Sequence, residues 1–201
     1  VRAQSGDFSF GVGGLSSGNF DAVSNSAVTF GGGTHVMTNG VSFTASSGGF
    51  HRCNGGTLAF ETPYTFNPQF NLDIGGILAG SQNVNFTGLV NWLGGTMTGA
   101  GRTIITNSAT LNISGFSYGK TLTRNLDLFG NGTVNGTTLA GGSGAFFNVY
   151  PSAVLDWQYD TAFSWTGGGG YATLSNAGLV KKSAGASVTS VNFILNNTGI
   201  V

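Results

Sequence analysis

Short segments in which apolar and polar residues alternate recur along the whole chain, separated by clusters of glycine, asparagine and serine. A period of two places one set of side chains inward and the other in solvent, as in a half-buried strand. No window of eleven or more residues has helical apolar spacing free of glycine. The sequence therefore predicts an all-β protein. Clear strand candidates are residues 41–44, 83–86, 110–113, 154–157 and 188–191.

The strand candidates are also related to one another. A strand end, a two-residue polar or proline corner, the dipeptide Ser-Ala and a new strand follow in this order around Ser26, Ser108 and Ser152. Ser108 and Ser152 are 44 residues apart, and Ser26 and Ser108 are 82 apart, which are near multiples of 20–22. A phrase of glycine followed by threonine or an apolar residue and then an apolar residue repeats too, with Gly56 and Gly76 separated by 20 residues.

A period near 20–22 residues with several short strands in each period is the size of one β-helix coil. A propeller blade needs about 40–50 residues and longer strands, and therefore fits less well. We predict a right-handed parallel β-helix, a solenoid of about nine to ten coils, formed by a single domain over residues 1–201. At a coil spacing of about 4.8 Å the rod would be roughly 45 Å long.

Composition limits what this surface can bind. Only 7% of the residues are charged, and seven cations balance seven anions. We therefore expect a surface of Asn, Thr, Ser and Gly, with no basic stripe for nucleic acid and no apolar run long enough to span a bilayer. The single cysteine, Cys53, forms no internal disulfide and is interpreted as a small buried apolar residue. We expect no metal and no cofactor.

Several phrases resemble those of haemagglutinin-like and autotransporter-adhesin-like bacterial surface proteins, which are built from degenerate β-helix repeats. The phrase Trp-Leu-Gly-Gly-Thr-Met-Thr-Gly-Ala-Gly over residues 92–101 carries most of this resemblance, together with residues 172–181 and 193–201. The resemblance covers roughly residues 10–201. It implies an extracellular or cell-surface location and a stalk or adhesive role, and it transfers no catalytic residue. Residues 50–54 and 61–68 depart from the repeat style.

The two ends suggest a partner. The chain begins Val1-Arg2-Ala3-Gln4 and ends within a strand candidate at Val201, so we interpret it as a processed piece of a longer chain. Open β-helix tips expose unpaired strand edges. We therefore expect another coil, another domain or a second copy to continue the stack, with end-to-end assembly into a filament as one outcome.

Glycan binding is the alternative function. The residues that we predict for it are Asp156, Trp157, Tyr159, Asp160 and Trp165. Exposed aromatic rings stack on sugars while polar neighbours bind hydroxyl groups, although Trp157 and Tyr159 could instead fill the core. The same segment offers the best case for a polysaccharide lyase or glycoside hydrolase, because Asp156, Gln158 and Asp160 have the same strand parity and glycoside cleavage needs two carboxylates. The favoured interpretation is that these charges are solvated and that the protein is not an enzyme.

The sequence contains two weaker signals of function. Ice binding needs a flat face with Thr-x-Thr stacked coil after coil, and the pairs Thr96/Thr98 and Thr121/Thr123 are present without a regular ladder. Asn-x-Ser/Thr sequons, which matter only in a eukaryotic host, occur at Asn85, Asn112, Asn131, Asn135 and Asn196.

Overall fold

A computed structural model describes residues 1–201, and all of its regular elements are β-strands. The first ten are β1 Arg2–Ala3, β2 Asp7–Phe10, β3 Gly14–Ser16, β4 Asn19–Ala22, β5 Ala27–Phe30, β6 Thr34–Met37, β7 Ser42–Ala45, β8 Phe50–Cys53, β9 Thr57–Phe60 and β10 Tyr64–Phe66. The next nine are β11 Phe70–Leu72, β12 Ile77–Ala79, β13 Val84–Phe86, β14 Leu89–Trp92, β15 Gly95–Met97, β16 Thr103–Ile105, β17 Thr110–Gly115, β18 Lys120–Leu122 and β19 Leu126–Leu128. The last nine are β20 Asn131–Gly136, β21 Leu139–Gly141, β22 Phe146–Val149, β23 Val154–Trp157, β24 Ala162–Trp165, β25 Thr173–Asn176, β26 Leu179–Lys182, β27 Ser190–Val191 and β28 Ile194–Asn197.

Each coil contributes one strand to each of three faces, and the strands of one face stack along the rod. The asparagine face consists of β2, β5, β8, β11, β14, β17, β20, β23 and β26. The threonine face consists of β3, β6, β9, β12, β15, β18, β21, β24 and β27. The split face has two parts, β1–β4–β7 and then β10, β13, β16, β19, β22, β25 and β28. Neighbouring strands on every face are parallel, so the predicted parallel β-helix is confirmed, with nine coils.

The coil length varies around the predicted period. Register pairs on the asparagine face differ by 19 residues between His51 and Phe70, and by 25 between Val154 and Leu179. Nine strands spaced about 4.8 Å apart make a rod about 40 Å long. The longest coil contains the glycine run 167–170, which enlarges the corner between the threonine and split faces.

The recurring Ser-Ala phrase marks the corner that leads into the asparagine face. The backbone N–H of Ala109 donates to Thr106 O at 3.0 Å, and that of Ala153 donates to Tyr150 O at 2.8 Å, so the two corners are the same tight turn. The third copy is shifted by one residue, because Ser26 and not Ala27 closes the turn. The buried Ser26 hydroxyl donates to Ala3 O at 2.8 Å, a bond that alanine could not make.

One core runs through all nine coils. Forty buried apolar residues form a single cluster from Ala3 to Phe193. In the first half the filling is largely aromatic, with the rings of Phe43 and Phe66 4.7 Å apart and those of Phe66 and Phe86 5.4 Å apart. Stacking of equivalent side chains buries each coil against the next, so no coil is stable by itself.

The split face is interrupted between β7 and β10, next to the segments that depart from the repeat style. At this interruption, side chains make hydrogen bonds to the backbone in place of the bonds between neighbouring strands. The backbone N–H of Phe43 donates to Tyr64 Oη at 2.7 Å, and His51 Nε2 lies 3.0 Å from Thr44 O. His51 is fully buried, between the rings of Phe43 and Phe66.

Side-chain amides join successive coils on the outer surface of the asparagine face. Asn91 Nδ2 donates to Asn71 Oδ1 at 2.9 Å, and Asn112 Nδ2 donates to Asn91 Oδ1 at 3.1 Å. The hydroxyl of Thr133 then donates to Asn112 Oδ1 at 3.0 Å. This ladder links four coils without charge, as stacked asparagines do in other parallel β-structures.

Candidate functional site

The predicted cluster lies on β23, on β24 and in the turn between them. Trp157 ends β23 with its side chain inward and only 2% exposed, and its ring centroid is 4.7 Å from that of Phe163. Trp157 is therefore a core residue and cannot present its ring to a ligand. The sequence analysis gave this core position as the alternative for Trp157.

Asp156 points outward on the asparagine face, yet it is only 8% exposed. Its Oδ2 accepts hydrogen bonds from Ser183 Oγ at 2.9 Å and Gln158 Nε2 at 3.2 Å, and Lys181 Nζ lies 3.7 Å away. These partners belong partly to the next coil. Asp156 thus fastens β23 to the coil that follows it.

Asp160 lies in the turn after β23 and not on the strand with Asp156. Lys182 Nζ donates to Asp160 Oδ1 at 2.6 Å, and the backbone N–H groups of Ala186 and Ser187 donate to Oδ2 at 3.0 Å each. The hydrogen bond from Lys182 lowers the pKa of the Asp160 carboxyl below its ordinary value. Asp160 therefore orders the loop 183–189, and each carboxylate of the proposed catalytic pair has its own lysine.

Tyr159 is exposed and lies at the corner between the asparagine and threonine faces. Its ring meets that of Phe116 edge to face, with centroids 5.0 Å apart. The two rings border an open groove of about 620 Å³, here called the tyrosine groove. The residues that line it are Phe116, Gly136, Thr137, Thr138, Tyr159, Asp160, Thr161, Ala162, Val188 and Ser190.

A buried cation lies beside the tyrosine groove. Lys120 is 1% exposed, and its Nζ donates to Gly115 O and to Thr137 Oγ1 at 3.2 Å each. Burial lowers the pKa of this ammonium group to about 8. Its side chain points inward from β18, so it supports the corner from within and does not reach the groove surface.

Trp165 lies at the opposite corner, between the threonine and split faces. Its ring stacks on that of Tyr171, with centroids 4.8 Å apart and an interplanar angle of 26°. Trp165 is 40% exposed and Tyr171 is 51% exposed. They border an open groove of about 650 Å³, here called the tryptophan groove, whose other residues are Ser164, Asn192, Phe193 and Ile194.

The core explains why Trp165 is exposed. Trp165 pairs in register with Gly141, and a Cβ on Gly141 would lie 2.4 Å from Phe193 Cζ and 2.6 Å from Ala172 Cβ. The interior is therefore already filled at this level. Sequence reasoning found Trp165 but missed its partner Tyr171. The available signal was the run of four glycines before Tyr171, which interrupts the repeat.

The outward side chains on the strands of the threonine face are uncharged. Thr96 pairs in register with Thr121, and Thr98 and Thr123 follow them, which makes a two-by-two threonine array. Ile77 and Ala140 occupy the equivalent positions in the coils on either side. The threonine ladder is thus short, as the sequence indicates, and the residues that continue it, Ile77 and Ala140, are uncharged.

Cys53, possible metal ligands and the sequon asparagines are the remaining candidates. Cys53 is fully buried, which confirms its interpretation as a core residue, and burial raises the pKa of its thiol to about 11. No three side chains among His, Cys, Asp and Glu converge as metal ligands would. Among the sequons, Asn112 uses its amide in the ladder, whereas Asn131, Asn135 and Asn196 are exposed.

Comparison with protein families, with curated proteins and with solved structures finds no significant match. The chain contains no helix with the length and apolarity needed to cross a membrane.

Proposed function

We propose that this chain is an extracellular structural and adhesive module, a stiff β-solenoid spacer that presents its side faces to a ligand. The observation that carries the proposal is the continuous stack of nine coils around one core. Bending such a rod would stretch backbone ladders on one side and compress the core on the other. The resemblance of residues 92–101 to phrases of bacterial surface adhesins supports the extracellular location.

End-to-end association is part of this proposal. Apolar side chains at core positions are exposed at both ends of the stack, with Phe8 at 46% in the first coil, where it pairs in register with the buried Val28, and Leu195 at 52% in the last coil. Leu195 pairs in register with the core residue Leu174, so it occupies a core position of the last coil. Such a side chain is buried when a further coil packs on it.

Small-angle scattering and sedimentation test both parts. We expect a rod about 40 Å long for the single chain, with longer particles as the concentration rises. The variant Leu195→Glu should stay single, because it places a charge at the contact between rods. The matched control Ile74→Glu changes an exposed apolar residue on the side of the rod, and it should still associate.

A compact sphere in scattering would contradict the rod. A single species at every concentration, or equal association of the two glutamate variants, would contradict end-to-end assembly and leave the rod intact.

A polysaccharide-degrading enzyme is the alternative function. It has weaker support, because Asp156 lies on the asparagine face and Asp160 in a turn, and each is paired with a lysine. A general acid and a nucleophile must both face one sugar linkage. Release of reducing ends or unsaturated products that is abolished in Asp156→Asn would establish the enzyme and overturn the purely adhesive proposal.

A further inference from the structure

The tyrosine groove and the tryptophan groove open on the same surface. Ala162 lines the first and Ser164 lines the second. Both belong to β24, where Phe163 between them points into the core, so Ala162 and Ser164 both point outward. Residues two apart on one strand are about 7 Å apart. The grooves are therefore neighbours across the threonine face and can be filled by one ligand.

We infer that the threonine face at β24 is a binding site for a neutral polysaccharide chain that lies across the coil and is held by an aromatic pair at each corner. This inference rests on the adhesive role proposed above and names the ligand class for it. Trp165 and Tyr171 form one aromatic pair, and Tyr159 and Phe116 form the other.

The floor between the two grooves, which is formed by β24 and its neighbours β21 and β27, suits an extended ligand. The outward residues on β24 and its two neighbours are small and polar or apolar, and none is charged. They are Thr138, Ala140, Ala162, Ser164, Ser190 and Asn192. The four residues of β24 span about 13 Å, which is the length of a short oligosaccharide. The hydroxyl and amide groups of this floor are suited to bind sugar hydroxyls.

The aromatic rings supply the apolar contact. Aromatic side chains that are exposed and clustered at the edge of a groove mark a binding surface more often than scattered apolar residues do. The stack with Tyr171 holds the Trp165 ring in one orientation before a ligand arrives, which lowers the entropy cost of binding. A sugar ring presents an apolar C–H face to such a platform and hydroxyls to its rim.

Charge selects a neutral ligand. The tryptophan groove has no charged residue among those that line it. The tyrosine groove has one, Asp160, and its carboxylate is already paired with Lys182. An anionic chain such as a polyuronate would find no free cation here. A neutral chain of glucose or N-acetylglucosamine units meets no opposing charge.

The tryptophans of this chain allow a direct test. Trp92 and Trp157 are buried and Trp165 is 40% exposed, so acrylamide should quench chiefly Trp165. Cellohexaose and chitohexaose are the neutral probes, with cellobiose and chitobiose as short ones and hexagalacturonate as the anionic one. We expect a neutral hexasaccharide to protect Trp165 from quenching, and calorimetry to give its affinity.

Single variants test the contribution of each aromatic pair to the saccharide affinity. Tyr171→Ala should lower the affinity for the hexasaccharide and the disaccharide by about tenfold each, since it removes the ring that supports Trp165. Tyr159→Ala should lower the hexasaccharide affinity to a similar degree and leave the disaccharide affinity unchanged. Phe129→Ala is the matched control, because Phe129 stacks on Tyr150 with centroids 3.9 Å apart at a corner that borders neither groove.

Three outcomes would overturn the inference: no protection of Trp165 by either neutral hexasaccharide, tighter binding of hexagalacturonate, or an equal loss in Phe129→Ala. Equal losses for long and short probes in Tyr159→Ala would overturn the arrangement across the face. Circular dichroism confirms that each variant is folded. Scattering from the same samples keeps the test of the rod separate, because a rod that binds no saccharide contradicts this inference alone.

Discussion

The hydroxyl oxygen of Tyr64 accepts a hydrogen bond from the backbone N–H of Phe43 at 2.7 Å, at the one position where a face of the coil is interrupted. A side chain thereby takes the place of a strand. The ring also packs on Phe43 and Phe60, with centroids 5.5 Å away in both cases, so Tyr64 closes the gap with both its polar and its apolar parts.

Tyr64→Phe should therefore destabilise the protein by about 1–2 kcal/mol, because it leaves the Phe43 N–H without a partner while the ring contacts remain. Urea denaturation followed by circular dichroism measures the change. Tyr118→Phe is the control, since Tyr118 is 48% exposed and its hydroxyl makes no hydrogen bond within the protein. Equal midpoints for Tyr64→Phe and the wild type would show that the interruption needs no such closure.

His51 should make the stability depend on pH. Burial lowers the pKa of its imidazole from 6.5 to about 4. Between these values the unfolded chain takes up a proton that the folded chain does not, so stability falls as the pH decreases from 6.5 to 4, by up to roughly 3 kcal/mol. His51→Phe keeps the aromatic contacts and should remove this part of the slope. Parallel curves for the two proteins over that window would contradict the assignment.

Lys120 should limit stability at neutral pH. Its ammonium group has no carboxylate partner, and burial holds its pKa near 8. An ordinary lysine in the unfolded chain keeps its proton up to about pH 10.4. Stability should consequently rise with pH from 8 to 10.4. Lys120→Met should raise stability at pH 7 by about 1 kcal/mol or more, because it removes a buried unpaired charge. A loss of stability would show that the bonds to Gly115 and Thr137 outweigh desolvation.

Asn91 should contribute to the join between coils. Asn91→Ala removes one hydrogen bond to Asn71 and one from Asn112, and should cost about 1–2 kcal/mol. The exposed Asn135 makes no side-chain hydrogen bond within the protein, so Asn135→Ala is the control and should leave the denaturation midpoint unchanged within error. A similar loss in both variants would mean that asparagine favours the strand for reasons unrelated to the ladder.

The architecture could be predicted because it depends on local chemistry that repeats. Alternation along each strand fixes which side chains face inward, and the turn at Ala109 and Ala153 recurs wherever its corner does. The spacing of those turns then gives the coil. The shift of one residue at Ser26 could not be predicted, because Ser26 aligns with Ser108 and Ser152 in the sequence although its backbone closes the turn as Ala109 and Ala153 do.

The candidate site was predictable only in part, because exposure depends on neighbouring coils. Trp157 and Trp165 are eight residues apart and look alike in the sequence. Trp157 fills the core, whereas Phe193 from the next coil occupies the space beneath Trp165. The pairing of Tyr159 with Phe116 likewise joins residues that are two coils apart. No pattern within a single strand carries that information.

The backbone hydrogen bonds that join the coils run along the axis of the rod. A force that pulls the two ends of the rod apart would act on these hydrogen bonds one coil at a time. The coils would therefore separate in sequence and not all at once. Each coil of 19 to 28 residues would release roughly 60–100 Å of chain as it peels away. A chain with this architecture would therefore lengthen in steps when it is pulled, and it would dissipate mechanical work as each coil opens.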